Sequence, residues 1–229
     1  MSEAAVTTER TGLALGRPVL RRAILVAIAV CFVLYPVLRP WQDETTAAGA
    51  AAAMGSPLWI ASHAFAMLGF ILLPAVPITL LLVDAAAWRE RQSRRPLVTS
   101  AILLWLGVGL VLPYYGAEAF ALNAVATHGG TDLVAVSDAI RFGPVQSIAF
   151  LLGLLLVAVG GVFTTIGVAK VQPWWFGVAF AAGFVLFAPQ FFGPPAVRIA
   201  HGVLIAVGCV ILAVSAGKRE REAVGTELE

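Results

Sequence analysis

Six apolar stretches alternate with short polar segments along the 229-residue chain: Leu20 to Leu38, Pro57 to Val83, Leu97 to Ala124, Pro144 to Ala169, Pro173 to Pro189, and Ala196 to Ala216. Each is at or near the roughly 20 residues that a helix needs to cross a bilayer. None alternates with the period of two expected of a transmembrane barrel strand, and lipid offers no partner to an unpaired backbone group. The pattern therefore predicts an all-α polytopic membrane bundle of six transmembrane helices. One transmembrane domain occupies residues 20–216, between an N-terminal tail (1–19) and a C-terminal tail (217–229).

Charge gives the orientation. Twelve of the fifteen Lys and Arg residues fall in one set of alternate segments: Arg10, Arg17, Arg21, Arg22, Arg89, Arg91, Arg94, Arg95, Lys170, Lys218, Arg219 and Arg221. Only Arg39, Arg141 and Arg198 fall in the other set. The positive-inside rule then places both termini in the cytoplasm and the chain in the cytoplasmic membrane. Trp88, Trp174 and Trp175 suit an inner aromatic belt, and Trp41 and Trp59 an outer one. An Ala-Gly-Ala triplet at Ala48 to Ala50 is the nearest thing to a signal-peptide cleavage site, but it lies ten residues beyond Leu38, so the first span is expected to stay attached.

Composition narrows the function classes. Hydrophobic residues make up 60% of the chain and charged residues 12%, against about 25% charged in soluble domains. A net charge of +2, with the basic residues placed by topology, gives no nucleic-acid surface. Cys31 and Cys209 sit alone within apolar runs and read as small hydrophobes. No HExxH motif, nucleotide-binding loop or nucleophile elbow is present.

The remaining chemistry lies in a few ionisable groups inside the spans, where they are costly and commonly functional. His63 and His201 each enter their helices five or six residues from the outer edge, and Glu118 stands six residues before Ala124. By helix rise, all three lie roughly 7 to 9 Å below the same face. Tyr114 and Tyr115 precede Glu118 by four and three residues and share its helical face. Arg198, three residues before His201, offers Glu118 a counter-ion. His63, Tyr114, Tyr115, Glu118, Arg198 and His201 are thus the candidate ligand-binding residues. Structural tethering between helices is one reading of this group. Two imidazoles and a carboxylate also suit zinc, non-haem iron or a haem axial pair, leaving the cofactor open. A third reading makes Glu118 the acid or base of an intramembrane enzyme acting on a lipid or isoprenoid-like substrate.

Two further segments bear on the site. Leu133, Val136 and Ile140 recur at helical spacing within Thr131 to Phe142, beside Asp132, Asp138 and Arg141, and predict an outer interfacial helix that lies flat on the membrane surface or, alternatively, acts as a lid. The loop from Arg39 to Ser56 is Ala-rich and predicts a short surface helix. The motifs Trp59-Ile-Ala-Ser-His63, with Gly69 after it, and Tyr115-Gly-Ala-Glu118-Ala-Phe-Ala resemble those of small six-span bacterial integral membrane proteins. That resemblance implies a six-span bundle and an association of His63 with Glu118, and no activity. The expected protein is a bundle with an outward-facing polar pocket for a small ligand or metal, or a subunit of a membrane assembly. Its partners are the bilayer and either a second copy or another membrane protein.

Overall fold

The computed structural model describes residues 3–83, 91–130 and 132–226, and every element in them is helical. The chain forms an all-α membrane helix bundle. Five helices are long and apolar enough to cross a bilayer: Val19–Leu38, Pro57–Leu82, Arg94–His128, Pro144–Val168 and Pro195–Ser215. Their outward surfaces carry Val26, Ile71, Trp105, Leu151 and Val210, as lipid-facing surfaces do.

The first span belongs to α1 (Glu3–Leu38) and ends where Pro40 forbids further helix. The second is interrupted at Leu73 and Pro74 into α3 (Pro57–Leu72) and α4 (Ala75–Val83), after the short α2 (Ala47–Met54). The third runs through α5 (Arg91–Gly116), a π turn at Ala117–Ala121 and α6 (Leu122–His128). α7 (Leu133–Phe142) and α8 (Pro144–Val168) follow. The fifth expected span is shorter than the apolar run suggested: α9 (Trp175–Val185) stops before Pro189, and a 3-10 turn at Pro189–Phe192 completes the run. α10 (Pro195–Thr226), like α1, extends as helix past its apolar stretch into what reads in the sequence as a tail.

Contacts close the bundle into a ring in the order α1, α10, α9, α8, α5, and then α3 with α4, which return to α1. Aromatic side chains fill its centre. Phe32 of α1 meets Phe70, Phe184 and Phe187 edge to face, with ring centroids 5.1, 5.6 and 5.7 Å away. Small residues set the closest approaches. A Cβ on Gly107 would stand 2.7 Å from the Gly153 carbonyl oxygen, and one on Gly153 would stand 2.9 Å from that of Gly107. The backbones of α5 and α8 therefore touch there, the device membrane helices use where lipid removes the hydrophobic drive to associate.

A second, smaller core lies at one end of the bundle, here termed the capped end. Ala50, Ala53 and Met54 of α2, Trp59, Leu122 of α6 and Leu133 of α7 are buried together, with Val136 and Ile140 packed against them. The amphipathic segment thus does not lie free on the membrane surface. With α2 it forms a roof over the ends of α3 and the π turn.

Candidate functional site

Local sequence chemistry aims the side chains under this roof. After α1 ends, Asp43 accepts hydrogen bonds from the Thr45 hydroxyl and backbone N–H, and Thr46 caps α2 by accepting from Gly49 N–H. The Thr45 bonds, side chain before backbone, hold the exposed Asp43 carboxyl below the usual carboxylate range. This turn fixes Glu44 beside Arg39 and Arg141. Asp132 caps α7 by accepting from Ala135 N–H, and in the last turn of α7 the Arg141 carbonyl accepts from Ser147.

Four charges then form one chain. Arg39 donates to Glu44 at 2.7 Å, and Arg141 donates to the other Glu44 oxygen at 2.8 Å. Arg141 also holds Glu118 with two hydrogen bonds, Nε to Oε1 at 2.6 Å and a terminal nitrogen to Oε2 at 2.9 Å. Such bidentate, charge-assisted pairs are the strong ones. Burial works against the Arg141 charge, but the bonds and charge of Glu118, reinforced by Glu44, more than offset it and hold its pKa above the ordinary value. The chain joins the α1–α2 loop, α7 and the π turn, three segments distant in sequence.

His63 lies beneath it and is 1% exposed. Its Nδ1 is 2.7 Å from the Trp59 carbonyl, which can only accept, so Nδ1 carries the proton. Nε2 is then a bare acceptor, 3.3 Å from an Arg39 nitrogen that can only donate. The 3.9 Å approach of Nε2 to Glu118 is accordingly a contact between neutral imidazole and carboxylate, not an ion pair. The Trp59 indole donates to the Glu118 backbone carbonyl at 2.6 Å, and the Arg39 guanidinium stacks over its ring at 4.5 Å. Trp59→Phe is expected to cost about 1 to 2 kcal/mol, because it strands a buried carbonyl. Titration of the folded fraction with denaturing detergent measures it.

The six expected site residues separate into two groups. His63, Tyr115 and Glu118 converge: Tyr115 is buried, with its ring centroid 5.9 Å from His63 and 5.7 Å from Tyr35. Tyr114 stacks flat on Phe150 at 4.0 Å and donates to neither carboxylate. Arg198 is not the counter-ion of Glu118; Arg141 is. Arg198 instead donates to the carbonyls of Phe191 at 2.5 Å and Gly193 at 3.3 Å, and it stacks over Trp41 at 5.4 Å. It lies within electrostatic reach of Tyr35, Arg39, Glu44 and Tyr115. His201 stands apart. Its Nε2 donates to the Gly183 carbonyl at 2.7 Å and its ring packs on Phe187, because α1 lies between α10 and α3 in the ring of helices.

This arrangement does not fit a metal or haem. Both His63 nitrogens are engaged, His201 faces another helix, and no group of three His, Cys, Asp or Glu residues suited to a metal exists among the described residues. Arg39, Glu44 and Arg141 are site residues that hydropathy and depth alone do not single out. Leu133, Ser137 and Arg141 repeat every four residues, and the burial of the first two shows that this spacing already placed Arg141 on the inner face of α7. Nothing comparable marks Glu44, which a loop delivers.

The cluster gathers three arginines and only two carboxylates. Among the described residues, Arg39 Nε and Gln190 Nε2 are buried donors without a hydrogen-bond partner. At the capped end, cationic donors therefore outnumber carboxylate acceptors. Compared with protein families, curated proteins and solved structures, the chain matches none of them.

Proposed function

We propose that this multi-pass protein resides in the cytoplasmic membrane with six crossings and both termini inside. Its capped end then forms an outward-facing binding site for a small, acceptor-rich ligand, closed by α7 and α2 as a charge-latched lid. The distribution of basic residues supports the orientation: twelve of fifteen belong to the opposite end or to the tails. Counting six crossings treats α9 and its 3-10 turn as a traverse, which the contact of Phe191 with Phe150 beside Tyr114 supports.

The observation that carries the reading is the excess of donors. Glu44 occupies Arg39 and Arg141 from a loop, as an internal stand-in for a ligand carboxylate, while Arg198 donates to carbonyls and, among the described residues, pairs with no carboxylate. An entering anion replaces Glu44, engages the three arginines and displaces the lid. The enzyme reading has less support, because both oxygens of Glu118 already accept from Arg141 and anchor the lid.

Thermal unfolding of the purified protein with succinate, citrate, phosphate or sulfate, each against chloride at matched ionic strength, tests this. At a hundredfold excess over Kd a ligand adds about 2.7 kcal/mol to stability. At least one polyvalent anion should raise Tm, and Arg198→Gln should abolish the shift. No shift with any of them, or the same shift in the variant, contradicts the reading.

A further inference from the structure

At the opposite end of the bundle, an open groove of about 660 Å³ is lined by Ile78, Leu81 and Leu82 of α4 and by Arg94, Arg95, Val98 and Thr99 of α5. Arg94 and Arg95 are exposed. They begin the Arg94–His128 span, so their guanidinium groups sit at headgroup level while the apolar lining lies at acyl-chain depth. A groove between spans that is apolar along its length and cationic at its rim is the complement of one class of molecule.

We propose that this groove binds an anionic phospholipid. The phosphodiester is held between Arg94 and Arg95, and one acyl chain lies along Ile78, Leu81 and Val98. Guanidinium is the better of the two basic groups for this task, because its planar donor fork matches two phosphate oxygens at once. Basic recesses between helices at the cytoplasmic surface are a recognised geometry for such headgroups. The interruption of the second span at Leu73 and Pro74 makes α4 a separate short helix, packed on both α1 and α5, and so builds one wall of the groove. Nothing in this proposal depends on the capped end.

The test uses the full purified chain in a neutral detergent and reads Tm while phosphatidylglycerol, phosphatidylcholine or inorganic phosphate is titrated in. Phosphatidylglycerol should raise Tm saturably, with the other two ineffective. In Arg94→Gln/Arg95→Gln the midpoint concentration should rise roughly thirtyfold, as expected for two interfacial arginines. Val98→Trp changes an exposed lining position, leaves both arginines in place and fills the groove, so it should weaken the effect as well. An equal response to phosphatidylcholine would show a generic lipid effect and overturn the proposal. A response to inorganic phosphate alone would identify a soluble-anion site instead. Undiminished phosphatidylglycerol affinity in either variant removes the assigned residues from any role.

Discussion

Arg141→Met is expected to lower stability by about 3 kcal/mol, the largest single effect at the capped end, because it leaves the buried Glu118 carboxylate without its two-bond partner. The cost comes from stranding a charge rather than from losing an attraction. Combining Arg141→Met with Glu118→Gln should therefore recover part of the loss, so the double variant is more stable than the arginine variant alone. A double-mutant cycle in a denaturing-detergent titration checks this. Additive effects of the two changes would mean that the pair does not act as a unit. Arg198→Gln, which leaves no carboxylate behind, should cost much less.

Gly153→Leu should be comparably damaging for a different reason. Its new side chain enters where the Gly107 carbonyl, Val111 and Leu110 already stand within about 3 Å of the Cβ position. Helices α5 and α8 must then separate along their seam, at a cost of about 3 kcal/mol. Gly109→Leu is the control, since nothing lies within 4 Å of its Cβ position and the side chain meets lipid. The folded yield after purification should fall sharply for the first and stay near wild type for the second. Equal behaviour of the two would contradict the close backbone contact.

These two variants probe features of unequal legibility. Hydropathy identifies the bundle, because long apolar runs have no other stable form in lipid. Gly107 and Gly153 are visible as residues but not as a pair, since helical position does not say which neighbour a face meets. At the site, equal depth brings His63 to Glu118 because α3 and α5 are neighbours in the ring. The same depth does not bring His201 there, since depth fixes height and not azimuth: α10 lies behind α1. Arg141 reads in the sequence as a topological charge, yet its four-residue spacing from the buried Ser137 sets it on the inner face of α7. Glu44 was illegible, because its position depends on the Asp43–Thr45 turn and not on any period.

Ser137, buried on the underside of α7, reports whether the proposed lid is latched by charge and faces outward. In a background with Cys31 and Cys209 replaced, Ser137→Cys is exposed to a membrane-impermeant maleimide on intact cells, with and without Glu44→Gln. Labelling should be slow in the latched protein, about tenfold faster once the loss of roughly 1.4 kcal/mol of latch energy lets the lid open, and should need no permeabilisation of the cells. Labelling only after permeabilisation, or at one rate regardless of Glu44, would contradict it.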